Sequence, residues 1–150
     1  MNDKTRISKL ESWLYEYEDK DKIRAELAQT EDPEILYMYA YNYNWDDGFD
    51  IPQAILDHKK CELSTALLIF YMADGERYLS DKTDTGQESR WYSFVKDLHE
   101  AILAGRYQKG KIGFHAPLSK VQAYKLKKCL TMQENIFVED IEGKNLDINV

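Results

Sequence analysis

The chain has few of the residues that interrupt helices or cross-link loops, with only seven glycines, three prolines and two cysteines among 150 residues. Scarce glycine and proline, together with abundant Leu, Lys and Glu, favour a mainly helical fold. Two cysteines, Cys61 and Cys129, are too few for a disulfide framework and fit a reducing compartment. Because each has apolar neighbours in the sequence, we expect both to be small core residues.

Long apolar runs are also missing. The longest run, residues 66–73, has eight residues, whereas a membrane-spanning helix needs ~20. The first residues lack the apolar core of a secretory signal peptide. We therefore expect a cytoplasmic protein that does not bind membranes, folded as one helical domain over residues 1–150 with a frayed tail at residues 143–150.

Charge of one sign is absent from each of two long segments. Residues 25–58, called here the acidic segment, contain eight acids and no Lys or Arg; residues 101–133, the basic segment, contain seven bases and no acid. Such segments are commonly solvated faces that partly neutralise each other in the fold. A single-sign surface also attracts partners of opposite charge. The net charge of −7 argues against nucleic-acid binding.

Apolar periodicity and capping residues predict about seven helices. Apolar residues recur at helical spacing over residues 5–18, and the stripe continues to residue 29. Asp32-Pro33-Glu34 has the N-cap, first-turn proline and acid that begin a helix. Ser89 also begins one, and Ser119-x-x-Gln122 is a capping box.

The remaining elements follow from turn residues. Gly48 and Gly75 are expected to end helices, since glycine adopts the left-handed conformation. Between them we expect helices over residues 52–59 and from residue 62 or 64 to Gly75, followed by a loop over residues 75–88. Residues 111–115 and 136–141 are short enough to be strands that pair. The predicted fold is a mainly α bundle or short solenoid of antiparallel helical hairpins, with at most one small two-stranded β element near the C-terminus.

Aromatic residues occupy every second position from Tyr37 to Trp45. Alternation is typical of a strand, but the cap at Asp32 favours a helix. One face of a helix cannot bury side chains that point in several directions. We therefore expect some of Tyr37, Tyr41, Tyr43 and Trp45 to lie at the surface beside the acids.

No pattern in the chain completes a catalytic, metal or phosphate site. Residues 105–111 fit the start of a phosphate-binding loop, but Ile112 replaces the Ser or Thr that holds magnesium, and a helix is predicted where a strand should precede it. Asp46, Asp47 and Asp50 lack the bidentate Glu of a calcium loop. His58 and Cys61 are too few for zinc. We expect no metal, no cofactor and no catalytic residue.

One stretch is similar to a known family. Asn44-Trp45-Asp46-Asp47-Gly48, then Pro52, Ile55, His58, Cys61, Thr65-Ala66-Leu67 and Phe70, ending at Ala73-Asp74-Gly75, resembles a bacterial family of unknown function marked by Asn-Trp-Asp-Asp-Gly. The likeness covers residues 44–75 and supplies no catalytic residues. In general style, the chain also resembles the immunity proteins of bacterial toxin systems, which are small, acidic and rich in aromatic residues.

These features favour a protein that binds another protein and is not an enzyme. The expected function is an immunity-type inhibitor that covers a basic active site, such as that of a toxin or nuclease domain. Asp46, Asp47 and Asp50 would supply charge, and Trp45, Tyr41 and Tyr43 would supply buried anchors. The alternatives are a helical-hairpin adaptor that uses the same face, and a small hydrolase with a metal at Asp46, Asp47 and Asp50.

Overall fold

A computed structural model describes residues 3–83 and 89–150. In this part the chain is mainly helical, which confirms the predicted fold class. The α-helices are α1 (Asp3–Glu11), α2 (Lys20–Gln29), α3 (Pro33–Asn42), α4 (Asp50–Leu56), α5 (Leu63–Met72), α6 (Gly75–Ser80), α7 (Arg90–Leu103) and α8 (Lys120–Lys127). A π-helical turn (Ser12–Glu16) extends α1, and two 3₁₀ helices lie at Trp45–Asp47 and Gln133–Phe137.

The helix starts confirm the capping residues read from the sequence. The Asp32 carboxylate accepts a hydrogen bond from the Glu34 N–H at 3.0 Å, and Pro33 is the first residue of α3. Ser89 caps α7 through the Tyr92 N–H at 3.0 Å. The predicted capping box at the start of α8 has both of its reciprocal hydrogen bonds. Local sequence therefore determines where these helices begin.

Helices α3 and α5 form the centre of the bundle. Residues 35–40 of α3 and residues 63–70 of α5 are all buried. α1, α4 and α5 pack against α3, and α7 packs against α5. α2 lies on the outer side of α4. A helix that is apolar all round, as these two are, is stable only when neighbours enclose it.

The N-terminal helix is shorter than its apolar stripe predicts. The helical conformation ends at Glu16 rather than at residue 18, and Tyr17 is extended. Asp19 begins α2 by accepting a hydrogen bond from the Asp21 N–H at 2.9 Å. This cap competes with continuation of the helix, and the stripe to residue 29 therefore belongs to two helices.

The predicted stop at Gly75 is wrong. α5 ends at Met72, and Asp74 takes the left-handed conformation, with a φ of 64°. Gly75 instead begins α6, so the first part of the predicted 75–88 loop is helical; residues 84–88 lie outside the described part. Glycine is needed here for space, because a Cβ would overlap the buried ring of Phe70.

Two further predictions need correction. The helix predicted over residues 52–59 spans Asp50–Leu56. Cys61 is buried, as expected, but Cys129 is exposed because it follows the end of α8 on the side away from the body of the protein. The apolar neighbours of Cys129 in the sequence do not enclose it in space.

The predicted β element is reduced to two isolated bridges. Phe114 pairs with Ile141 in antiparallel fashion, and Ile112 pairs with Lys144 in parallel. Residues 136 and 137 belong to a 3₁₀ helix rather than to a strand. These bridges attach residues 111–114 to the C-terminal part of the chain without forming a sheet.

The C-terminal residues make more contacts than the fraying predicted for residues 143–150. Leu146 is buried, and Asp147 accepts a hydrogen bond from the Tyr37 hydroxyl at 2.6 Å. The Asn42 side chain donates to the Ile148 carbonyl at 2.8 Å and accepts from the Val150 N–H at 2.9 Å. The tail therefore covers one side of α3.

In residues 3–83 and 89–150, no helix has both the length and the apolar character needed to cross a bilayer.

Candidate functional site

The candidate site is the connection between α3 and α4, called here the acidic corner: residues 44–50. Its 3₁₀ helix (Trp45–Asp47) is capped by Asn44, whose side chain accepts a hydrogen bond from the Asp46 N–H at 3.1 Å. It ends at Gly48, which has a φ of 93° and donates its N–H to the Trp45 carbonyl at 3.3 Å. Residues with a side chain rarely adopt this φ, because the Cβ clashes with the backbone. Gly48 therefore allows the chain to turn into α4.

Three carboxylates of the acidic corner have no basic partner. Asp46, Asp47 and Asp50 are exposed, and no Lys, Arg or His of the described residues lies within 4 Å of their carboxylates. Lys20 approaches this site but donates to the Asp47 backbone carbonyl, at 2.5 Å. The negative charge of the corner is therefore left facing solvent.

Four other acids of the acidic segment pair with bases within the fold. Asp32 and Glu34 contact Arg6 at 2.9 and 3.1 Å, and Lys144 also contacts Glu34, at 3.0 Å. Further ion pairs are Glu31–Lys59 at 3.5 Å and Asp57–Arg106 at 3.1 Å. The structure thus divides the acidic segment into acids that hold the fold together and acids that do not.

An aromatic cluster lies beneath the acidic corner. The Trp45 ring meets Tyr43, Phe49 and Phe94 with ring centroids 5.5, 6.2 and 6.3 Å apart. Phe49 and Phe94 stack at 4.7 Å. Trp45 is half-buried, and its buried indole N–H has no acceptor among the described residues. Edge-to-face and stacked rings of this kind make a stiff support for the charged turn.

The tyrosines of α3 contribute support rather than exposed surface. Tyr37 and Tyr43 are buried and Tyr41 is half-buried. The Tyr43 hydroxyl donates to the Gly48 carbonyl at 2.8 Å. Burial, followed by the charges of Asp47 and Asp50, raises the pKa of Tyr43, so this donor stays protonated. Burial and Asp47 raise the pKa of Tyr39 to about 12 in the same way.

A groove of about 850 Å³ opens beside the acidic corner. Its lining includes Asp47, Asp50, Lys20 and Arg90, together with the stacked rings of Phe49 and Phe94. This volume lies in the range of ligand and side-chain pockets. The groove thus combines two acids, two bases and two aromatic rings.

Sequence reasoning missed Phe49 and Phe94 as parts of this site. Phe49 directly follows the motif and Phe94 lies 45 positions further along the chain, in α7. The signal for Phe49 was its position next to Gly48. No local signal marks Phe94, because only the packing of α7 against the turn brings it there.

The pair His58 and Cys61 is explained without a metal. The His58 Nδ1 accepts from the Lys60 N–H at 2.9 Å, so Nε2 carries the proton and donates to the Thr30 carbonyl at 3.0 Å. Burial raises the pKa of the Cys61 thiol to about 12. Across the described ranges, no three His, Cys, Asp or Glu side chains are grouped so that they could hold a metal ion.

The phosphate-loop-like residues 105–111 lie in the wrong structural context, as predicted. The helix α7 precedes them, and the next helix begins only at residue 120. Glu62 accepts a hydrogen bond from the Ile112 N–H at 3.2 Å, and Leu63 donates its N–H to the Gln108 carbonyl at 2.8 Å. This segment therefore holds the N-terminal end of α5.

A buried charged cluster lies away from the acidic corner and was also missed. Glu134 is 2% exposed and accepts hydrogen bonds from His99 at 2.7 Å and from Lys82 at 3.0 Å. Its other oxygen accepts from the Thr131 N–H at 3.0 Å, while its own N–H donates to the Thr131 hydroxyl. The pattern Thr131-x-x-Glu134 is a capping box and was the available signal.

Burial by itself raises the pKa of Glu134, but its hydrogen bonds outweigh this effect. The Thr131 N–H, His99 and Lys82 together lower that pKa from the ordinary 4.5 to about 2. His99 Nδ1 is buried without a partner among the described residues, and the ring stacks on Phe137 at 5.1 Å. The cluster joins α7 to the 3₁₀ helix Gln133–Phe137.

Comparison with known proteins places a domain on the central part of the chain. Residues 31–103 match the family described as Domain of unknown function (DUF4274). This match confirms a resemblance to a domain family of unknown function; the role of Asn44–Gly48 as its marker stays a prediction. No curated protein and no solved structure matches the chain. The matched residues include the acidic corner, α3, α5 and α7, whereas α1 and α8 lie outside them.

Proposed function

We propose that the protein is a non-enzymatic, immunity-type inhibitor, which binds a basic protein partner through the acidic corner and covers its active site. The observation that carries this proposal is the exposure of Asp46, Asp47 and Asp50 without basic partners, while neighbouring acids are neutralised. Unpaired charges on a rigid turn are available to a partner at no cost to the fold. They also speed the encounter with a positively charged protein.

The aromatic residues supply the second half of the proposal. Phe49 is half-buried and lines the groove next to Asp50. A lysine or arginine of the partner would lay its apolar stem on Phe49 and place its charge between Asp47 and Asp50. The exposed part of the Trp45 ring would anchor the partner. The indole N–H of Trp45 is buried and has no acceptor among the described residues. Tyr43 would act by holding this surface in shape, through its hydrogen bond to the Gly48 carbonyl.

The first experiment identifies the partner. Affinity capture from a lysate, with mass spectrometry, compares the native protein with the double variant Asp46→Lys, Asp47→Lys as bait. The matched control is Glu139→Lys, Glu142→Lys, which makes the same change in net charge at two exposed acids elsewhere. A partner of the acidic corner is captured by the native protein and the control but not by the double variant.

The second experiment measures the mechanism with the captured partner. The charge reversal should slow association and weaken its dependence on salt. Phe49→Ala should instead speed dissociation, by about tenfold if the ring is an anchor. The partner's enzymatic activity should fall to zero at equimolar inhibitor. A partner that stays fully active when bound would support the adaptor function in place of inhibition.

A further inference from the structure

Helix α8 has two apolar faces on opposite sides. Ala123, Leu126 and Leu130 recur at helical spacing, and these residues are buried or half-buried against the body of the protein. Val121 and Tyr124 lie on the other side and are 62% and 64% exposed. With Lys125 and Lys128 they make the spacing i, i+3, i+4, i+7 of a single helix face. These four residues are called here the outward face of α8.

Exposed apolar side chains recur along α8 and just after it. The described part of the chain has six exposed large hydrophobic residues, and three of them are Val121, Tyr124 and Met132. Met132 is 89% exposed. The ammonium group of Lys128 lies 4.5 Å from the Tyr124 ring centroid, which leaves most of the ring uncovered. Exposed apolar residues that share one helix face, as Val121 and Tyr124 do, are typical of an interaction surface.

The charged residues of α8 and of its C-terminal end are all lysines. Lys120, Lys125, Lys127 and Lys128 all lie on α8 or at its end, and none of them has a carboxylate within 4 Å in the described residues. The surrounding residues 101–133 contain no acid. A partner segment that complements this surface is therefore acidic.

The apolar residues identify the chemical class of that partner. Exposed Val and Met side chains offer nothing to phosphate groups, whereas they can pack on the apolar side chains of a protein. Interfacial membrane helices bury Trp, Phe or Leu, and the outward face has none of these. Tyr and Met are enriched in protein interfaces. The mixed surface therefore fits an acidic protein segment better than nucleic acid or lipid.

We propose that the outward face of α8 binds an acidic, amphipathic segment of a protein partner. Tyr124 and Val121 pack against its apolar side chains, and Lys125 and Lys128 pair with its carboxylates. This surface is separate from the acidic corner and has the opposite charge. The protein then has two binding surfaces, one on the matched residues 31–103 and one outside them.

The test uses a fluorescein-labelled peptide of glutamate and leucine in a helical repeat, with fluorescence anisotropy as the readout. A lysine–leucine peptide of the same length controls for charge. Duplex DNA and phosphatidylserine vesicles test the other anionic partners. The acidic peptide is expected to bind the full-length protein, and its affinity should fall as salt concentration rises.

Variants locate the binding. Tyr124→Ser should weaken the affinity by about tenfold, while Tyr124→Phe, which keeps the ring, should stay within about twofold of the native protein. Lys125→Glu, Lys128→Glu should abolish binding. The matched charge reversal Lys109→Glu, Lys111→Glu, made at exposed lysines of the same basic segment, should change the affinity less than threefold. Circular dichroism confirms that each variant is folded.

Three results would overturn the proposal. One is tighter binding of DNA or vesicles than of the acidic peptide. Another is peptide binding that survives both Tyr124→Ser and the α8 charge reversal. The third is the absence of any anisotropy change at the solubility limit of the peptide.

Discussion

The acidic and basic segments differ in how they are attached to the protein as well as in charge. The acidic segment includes α3, in which residues 35–40 are all buried. In the basic segment, α8 has one buried residue, Leu126. The two segments contact each other through the ion pair of Asp57 and Arg106, at 3.1 Å. The helix α3 of the acidic segment is therefore part of the core, whereas the helix α8 of the basic segment lies on its surface.

This difference changes the meaning of charge in the two segments. Acids such as Asp32 and Glu34 hold α3 to α1 through Arg6, whereas the three carboxylates of the acidic corner have no basic partner among the described residues. On α8 the lysines lack carboxylate partners throughout. Net charge along the sequence thus overstates the acidic surface, whereas it describes the basic surface well. A charge that lacks an internal partner, rather than the number of charges, is what remains available to a binding partner.

The largest expected effect tests the difference in attachment. Leu36→Ala removes a fully buried side chain at the centre of α3 and should lower the free energy of unfolding by about 3 kcal/mol. The matched change Leu126→Ala should lower the free energy of unfolding by less than about 2 kcal/mol, because the loosely packed α8 can move to fill the cavity. Denaturant unfolding measures both. Equal losses would show that α8 belongs to the same cooperative core as α3.

The second effect concerns Glu134, the buried acid that directly follows the basic segment and contacts His99 of α7. Glu134→Gln removes the charge that His99 and Lys82 contact and should cost about 2 kcal/mol at neutral pH. Because folding lowers the pKa of Glu134 from 4.5 to about 2, its stabilisation is complete above pH 4.5 and is lost as the pH falls toward 2.

Melting temperatures of the native protein and Glu134→Gln, measured from pH 7 to pH 2.5, check this dependence. The difference between the two proteins should be constant above about pH 5 and should shrink at lower pH. A difference that does not change with pH would mean that shape and hydrogen bonding, rather than the charge of Glu134, hold the 3₁₀ helix to α7.

The third effect should be the same in both segments. Gly48 and Gly105 have φ values of 93° and 77°, and a Cβ at either position meets no atom within 4 Å. Gly48→Val and Gly105→Val should therefore each cost about 1–2 kcal/mol through backbone strain alone. Thermal unfolding measures both costs. An unchanged melting temperature for Gly48→Val would show that the acidic corner does not need the left-handed conformation.

The smallest expected effect separates binding charge from structural charge. Asp46→Asn, Asp47→Asn, Asp50→Asn should change the free energy of unfolding by less than about 0.5 kcal/mol, since these carboxylates contact no base. Glu34→Gln, which weakens contacts to Arg6 and Lys144, should cost more than the triple variant. Denaturant unfolding at low and high salt measures both. A destabilised triple variant would place these acids among the structural charges.

The sequence by itself determined the helical class and most helix starts, because caps act over three or four residues. Asp32, Ser89 and Ser119 each bond an N–H close by in the chain. The left-handed conformation of Gly48 was also predictable, because it depends on the residue type at a local turn. Residues 31–103, which match the DUF4274 family, include the acidic corner, whose acids were predicted from the sequence to bind the partner.

Tertiary structure alone decided which of these residues are covered. The alternating aromatics of α3 are mostly buried, because α1, α4, α5 and the C-terminal tail enclose that helix on several sides. Only packing makes Phe94 a neighbour of Trp45, and only packing makes Glu134 a neighbour of His99. The exposure of Tyr124 and Cys129 followed in the same way, from the light packing of α8. Burial depends on contacts between residues far apart in the chain, which no local pattern of side chains encodes.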